Sequence, residues 1–342
     1  MMSSLLIRMV SVCIALGPAV TNAEWVVQDS HLPAASFRAV QALDAHVVWI
    51  AGPGGAWRTL DGGQTWQACL IPGADQLDFR GIAAFDQQTA VLVSAGPAEE
   101  GRARIYHTSD AGGTWNLAFQ TQDQGVFLDG VAFWDARNGL AFGDPVDGKW
   151  YLLRTRDGGR TWQRIAPERL PPMLPGEAAF AASNSSMIVR GSAGAFIASG
   201  GAERARVFVS ADRGEHWKAV DTPMPAGPEA GIFGIRFWDA RHGIGVGGAV
   251  KREREASDNV ILTSDGGRTW RKGTAAQPAG LKEAVIRLPD GALLAVGPSG
   301  TGISRDLGRS WMQTDSRVLH ALACAKDQCW TVGKGLVAKW QP

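Results

Sequence analysis

The sequence predicts an all-β fold, a seven-bladed β-propeller of four-stranded blades, and three observations carry that expectation. A pattern, Ser/Thr-x-Asp-x-Gly-x-x-Trp, recurs six times. Successive aspartates of the pattern lie 41 to 55 positions apart, the length of one four-stranded blade. The chain also carries 43 Gly and 14 Trp against 2 Tyr, a composition of many short strands joined by tight turns.

The repeats run Thr59/Asp61/Gly63/Trp66, Thr108/Asp110/Gly112/Trp115, Thr155/Asp157/Gly159/Trp162, Ser210/Asp212/Gly214/Trp217, Thr263/Asp265/Gly267/Trp270 and Ser304/Asp306/Gly308/Trp311. Each reads as an Asp box, a structural hairpin turn. The carboxylate accepts N–H groups of its own turn, and glycine adopts a backbone angle other residues resist. Tryptophan is expected to open the next strand and to bury its ring at the blade's outer edge. Between boxes each unit reads as three strands. In the third these are Asp129–Trp134, Leu140–Gly143 and Trp150–Arg154.

Six boxes leave a seventh blade to be built from the two ends. Val318–Ala323, Cys329–Gly333 and Gly335–Lys339 read as its first three strands, and the chain stops where a box would begin. Glu24–Gln28 reads as the fourth. The N-terminal strand therefore closes the ring and removes two sheet edges. Residues 1–23 read as a signal peptide, with Arg8, an apolar run from Met9 to Val20, and Thr21-Asn22-Ala23 before the cut. Residues 24–342 then form one exported ring, periplasmic or secreted. Lys plus Arg (34) nearly cancels Asp plus Glu (33), with no basic stripe for nucleic acid and no apolar run long enough to span a membrane. Cys324 and Cys329 are spaced to face one another on a hairpin, as a disulfide or, less readily, as metal ligands; Cys69 reads as a buried thiol.

Strand alternation puts the longer, less regular loops on one face, opposite the boxes. Aligned inner strands begin with a variable residue followed by a small one: Arg38, Arg80, Asp129, Ala178, Phe233, Glu283 and His320. That position forms a ring at the channel mouth, either a binding site or a solvated channel lining. Asp144, Asp147 and Glu177 lie in adjacent loops of that face. They read first as turn residues, and otherwise as a cation site or an acid/base pair for glycoside cleavage. Arg206 is available as a third arginine beside Arg38 and Arg80. No cofactor fingerprint, dedicated metal site or complete catalytic constellation is present.

The boxes occur together with Phe79-Arg-Gly-Ile82, Gly143-Asp-Pro-Val-Asp-Gly148, Pro175-Gly-Glu-Ala-Ala-Phe-Ala-Ala-Ser-Asn184 and Gly231-Ile-Phe-Gly-Ile235. In these strings the chain resembles a bacterial branch of the photosystem II stability/assembly factor family, over essentially all of residues 24–342. The resemblance implies a non-catalytic propeller that binds a protein partner, such as an exported or membrane-complex subunit. The alternative is a glycoside hydrolase. A sialidase would need a tyrosine nucleophile, yet Tyr106 and Tyr151 both precede boxes, away from the mouth.

Overall fold

The computed structural model describes residues 23–28, 31–255, 258–273 and 278–341. The proposed leader, residues 1–23, lies outside these but for Ala23. Seven four-stranded antiparallel sheets stand in a ring. The innermost strands of blades 1 to 7 are Ala39–Ala42, Asp78–Ala84, Leu128–Phe133, Met187–Arg190, Ala230–Phe237, Ala284–Arg287 and Leu319–Ala325. Each blade then runs outward in chain order, apart from the last. Its outermost strand is Glu24–Val27, which pairs with Leu336–Gln341 in the register Trp25↔Trp340. Trp25 is fastened on both sides. Its Nε1 donates to Thr301 Oγ1 at 3.0 Å, and its carbonyl accepts from Arg317 Nη2.

The repeat works by sequence-local hydrogen bonds. In blade 1 the Thr59 hydroxyl donates to Asp61 Oδ1 at 2.8 Å and accepts the N–H of Gly63 at 2.8 Å. The residue before the tryptophan completes the set. Thr65 donates its N–H to Asp61 Oδ1 and its hydroxyl to Oδ2. Thr114, Thr161, Thr269 and Ser310 do the same in their own blades, and His216 brings a ring nitrogen to Asp212 instead. This position was not part of the pattern read from the sequence, although a hydroxyl stands there in five copies of six.

The box tryptophans lead into the outer strands: Trp66, Trp217, Trp270 and Trp311 each stand one residue ahead of Gln67–Leu70, Lys218–Asp221, Arg271–Lys272 and Met312–Asp315. Their rings enter the layer shared with the preceding blade, a neighbour that the sequence pattern did not name. Trp66 meets Trp330 of blade 7 edge-on at 6.1 Å. Trp217 packs with Leu140 and Phe142 of blade 3, Trp270 with Phe196 of blade 4, and Trp311 with Ile244 and Val246 of blade 5. The reason is solvent exclusion, since a large ring loses more water between two sheets than on a rim. The indole N–H groups divide. Trp217 donates to the Gly214 carbonyl of its own box at 3.1 Å, as Trp162 does to Gly159. Those of Trp66, Trp270 and Trp311 are buried without an acceptor.

Box glycines belong to the same contact. Gly63 has φ +86°, and a Cβ there would lie 2.6 Å from the Trp330 ring; Gly159 (φ +87°) would meet Val91 of blade 2 at 2.5 Å. Each of these boxes thus wedges against the preceding blade, where a side chain would collide. The core follows the same plan, as one apolar layer between each pair of sheets. Trp49, for example, packs edge-on against Trp115 of the next blade at 6.5 Å. Dry layers between blades hold the ring together.

Cys324 and Cys329 are disulfide-bonded across the Leu319–Ala325/Gln328–Gly333 hairpin, where they are direct register partners. Cys69 is a buried free thiol pushed up to about 11 by burial. Among the described residues no helix is long and apolar enough to cross a membrane.

Blade 4 departs from the sequence expectation. Its inner strand begins at Met187, not at Ala178. The preceding residues, Ala179 to Ser186, leave the blade and cross the ring axis. Arg80 Nη1 of blade 2 donates to the Ala181 carbonyl at 3.2 Å. Asn184, in the left-handed region at φ +60°, accepts the Val131 N–H of blade 3 and donates to the Ile82 carbonyl of blade 2. Ser183 and Ser185 donate to the Glu283 carbonyl of blade 6, and the Ser185 carbonyl accepts the Ile235 N–H of blade 5. This segment is a plug. Its amide and hydroxyls satisfy inner-strand backbone groups that a channel would leave to water.

Candidate functional site

The plug divides the axis into two cavities. On the box face a cavity of about 510 Å³ is lined by residues including Gln41, Phe85, Asn184 and Arg236. On the loop-rich face lies the larger one, about 760 Å³. Its walls are the starts of the inner strands and the second-to-third-strand loops, so the small-residue alignment places its lining. Its floor is the plug: Phe180, Ala181 and Ala182, with Phe180 stacked on Phe233 at 3.8 Å and 6°.

Seven of the eleven residues expected at the mouth line this cavity: Arg38, Arg80, Asp129, Asp144, Phe233, Glu283 and His320. Most of the charge on one side is internally matched. His320 Nδ1 lies 2.7 Å from Glu283 Oε2, and Arg38 Nη1 lies 3.8 Å from Glu283 Oε1. Burial lowers the Arg38 guanidinium, with Glu283 acting in the opposite direction. Arg80 donates from Nε to Asp78 Oδ2 at 2.7 Å, besides its bond to the plug. These two arginines are held.

The other wall is different. Asp129 is 2% exposed, and its Oδ2 has no hydrogen-bond partner. Burial, then the neighbouring Asp144 charge, raises its carboxyl well above the usual range, while Arg80 acts the other way. Asp144 accepts the Ala179 N–H at 3.0 Å, but burial still pushes it up to about 6. The sequence order brings this pair together across one hairpin. Leu128 and Gly143 are register partners, with a bulge at Asp129.

Asp147, Glu177 and Arg206 are not in the cavity, which corrects the expectation that three carboxylates and a third arginine converge there. Asp147 is exposed in a turn with φ +52°, beside Gly148. Glu177 faces inward, with its side chain fully buried against Arg206: Arg206 Nε donates to Oε1 at 2.9 Å and Nη2 to Oε2. Ser199 Oγ and the Leu174 N–H supply two further donors. The pair holds the loop ahead of the plug, with Arg206 also donating to the Pro172 carbonyl. A three-arginine clamp does not assemble, because Arg206 is used up here. Among the described residues no group of three or more His, Cys, Asp or Glu could hold a metal ion. Phe180, Glu253 and Lys334 line the cavity without having been singled out in the sequence. The signal for the first was the long stretch between Trp162 and the next inner strand.

No family model and no curated protein matches this chain. Solved structures do. "YCF48 bound to D1 peptide" matches at TM-score 0.66 and 15% identity, covering 95% of this chain and 98% of that one. "YCF48 from Cyanidioschyzon merolae" matches at 0.66 and 13%, covering 94% and 99%. "Streptogramin B lyase structure" matches at 0.68 and 12%, covering 94% and 98%. The fold is shared. At these identities it is shared between a peptide-bound protein and a lyase, so the ring itself does not select an activity.

Proposed function

We propose that this chain is an exported, non-catalytic propeller that binds a protein segment in the blind cavity of its loop-rich face, as an assembly or stability factor. The observation that carries this reading is the plug. It turns a channel into a cup with an apolar floor and charged walls, the composition of a recognition pocket rather than a conduit. The peptide-bound YCF48 structure, with a ring of the same architecture, supports a protein partner. The finer resemblance to a bacterial branch of the photosystem II assembly factors rests on the sequence strings given above. Export is supported by the leader pattern and by the Cys324–Cys329 disulfide, a bond typical of oxidising compartments. The hydrolase reading loses Glu177 from its acid/base candidates, since Glu177 is sealed against Arg206 and cannot reach a substrate in the cup.

The test is capture from periplasmic and membrane extracts. Wild type is compared with Arg38→Ala/Arg80→Ala, and with Arg241→Ala on the opposite face as control. We expect a defined protein retained by wild type and the control and lost by the double variant. Retention by all three proteins, or by none, overturns the assignment of binding to this cup.

A further inference from the structure

The cup is electrically lopsided in a way that identifies part of its ligand. On one wall Arg38 lies against Glu283 and His320, although its Nε is buried without an acceptor, and Arg80 bonds Asp78 and the plug carbonyl of Ala181; Lys334 also lines the cavity, exposed to solvent. On the other wall two carboxyl groups face the same space without a counter-ion. Asp129 has a buried oxygen with no hydrogen-bond donor at all, and Asp144 has a single backbone N–H. Arg80 is close enough to influence Asp129, but its own bonds point elsewhere. A buried carboxylate without donors is costly and holds a proton in place of a counter-ion, so a cation entering the cup would find two acceptors that nothing else occupies.

We propose that the Asp129–Asp144 wall takes a basic side chain, the ammonium or guanidinium of a lysine or arginine in the bound protein segment. This rests on the protein-binding reading above and adds the chemistry of one contact. Three features fit. The cavity, at about 760 Å³, has room for a long side chain beneath a backbone lying across the mouth. The Phe180–Phe233 stack offers an apolar surface to the side chain's methylenes or to the cation. A divalent metal fits poorly, since two carboxyl groups with no third His, Cys, Asp or Glu beside them make a thin ligand set. Desolvated charge pairs of this kind discriminate sharply, because a neutral residue would leave both carboxyl groups uncompensated.

The experiment uses immobilised nonapeptide libraries with the central residue fixed as lysine, arginine, norleucine or glutamate and the flanks randomised. Binding of the purified protein is measured at about pH 8. The lysine and arginine sets should retain roughly tenfold more protein than the norleucine set. In Asp129→Asn and Asp144→Asn that preference should fall to about unity, with thermal midpoints showing that both variants remain folded. A basic preference that survives in both variants overturns the inference. So does a stronger retention by the norleucine or glutamate set, although that result keeps the protein-binding reading intact. No retention above bare resin by any set removes both.

Discussion

The same side chain behaves in opposite ways in two regions of this molecule. In the boxes, Asp110, Asp265 and Asp306 are held down to about 2, chiefly by the hydroxyl and then the N–H of the residue before the tryptophan. In the cup, Asp129 and Asp144 are raised, chiefly by burial. Box carboxylates sit near water and receive several donors; in the cup Asp129 is buried and Asp144 half-buried, and they receive one donor or none. Glu177 is a third case, buried but fully matched by Arg206, Ser199 and a backbone N–H. Donors, not burial alone, separate a structural carboxylate from one poised for a ligand.

The strongest way to break this comparison is to convert the matched buried carboxylate into an unmatched one. Arg206→Ala leaves Glu177 sealed without its counter-ion and should cost about 3–5 kcal/mol of stability, read by urea unfolding near pH 7. A loss below about 1 kcal/mol would mean that Ser199 and the Leu174 N–H suffice by themselves.

The boxes should respond less steeply. Thr155→Val removes the hydroxyl that donates to Asp157 and accepts the buried Gly159 N–H, for a cost of about 1–3 kcal/mol. Chemical denaturation checks the value, and an unchanged midpoint would reduce the box to a passive turn.

The effect that sharpens the comparison most is the dependence of stability on pH. Asp144 titrates near 6 in the folded chain against 3.8 ordinarily, so the folded state holds a proton that the unfolded chain releases. Stability from this group is therefore lost as pH rises from about 4 through 6. Box aspartates act with the reverse sign: their contribution is present above about 4 and lost as pH falls toward 2. Unfolding midpoints from about pH 3 to about pH 8 should show both slopes; Asp129, raised well above its usual range, adds to the upper one, and Asp144→Asn should make only that upper slope shallower. An unchanged upper slope in that variant would assign the titration to another group.

Legibility in the sequence followed the distance over which each contact acts. Arg38, Arg80, Asp129, Glu283 and His320 could be placed at the mouth because strand alternation fixes which end of an inner strand faces the axis. Glu177 and Arg206 could not, because their pairing joins a loop to the third strand of another hairpin and turns both side chains away from the axis. The box spacing located Trp66, Trp217, Trp270 and Trp311 in the chain, but not the neighbouring blade that receives each ring. Nor could the plug be foreseen: Ala178-Ala-Phe matches the small-residue alignment of an inner strand, and only the competing bonds of Asn184, Ser183 and Ser185 to blades 2, 3, 5 and 6 draw it across the ring.

By itself the sequence determined the boxes, the blade count and the closure by Glu24–Val27. Hydrogen bonds between residues two to four apart, and a repeat that can bury its faces only by stacking, leave the chain no other consistent arrangement. Tertiary structure alone decided that the axis is plugged, which carboxylates Arg38, Arg80 and Arg206 lie against, and which two carboxyl groups are left without a counter-ion. Those outcomes depend on groups from as many as five blades meeting at one point, and on water being excluded there, neither of which any local spacing encodes.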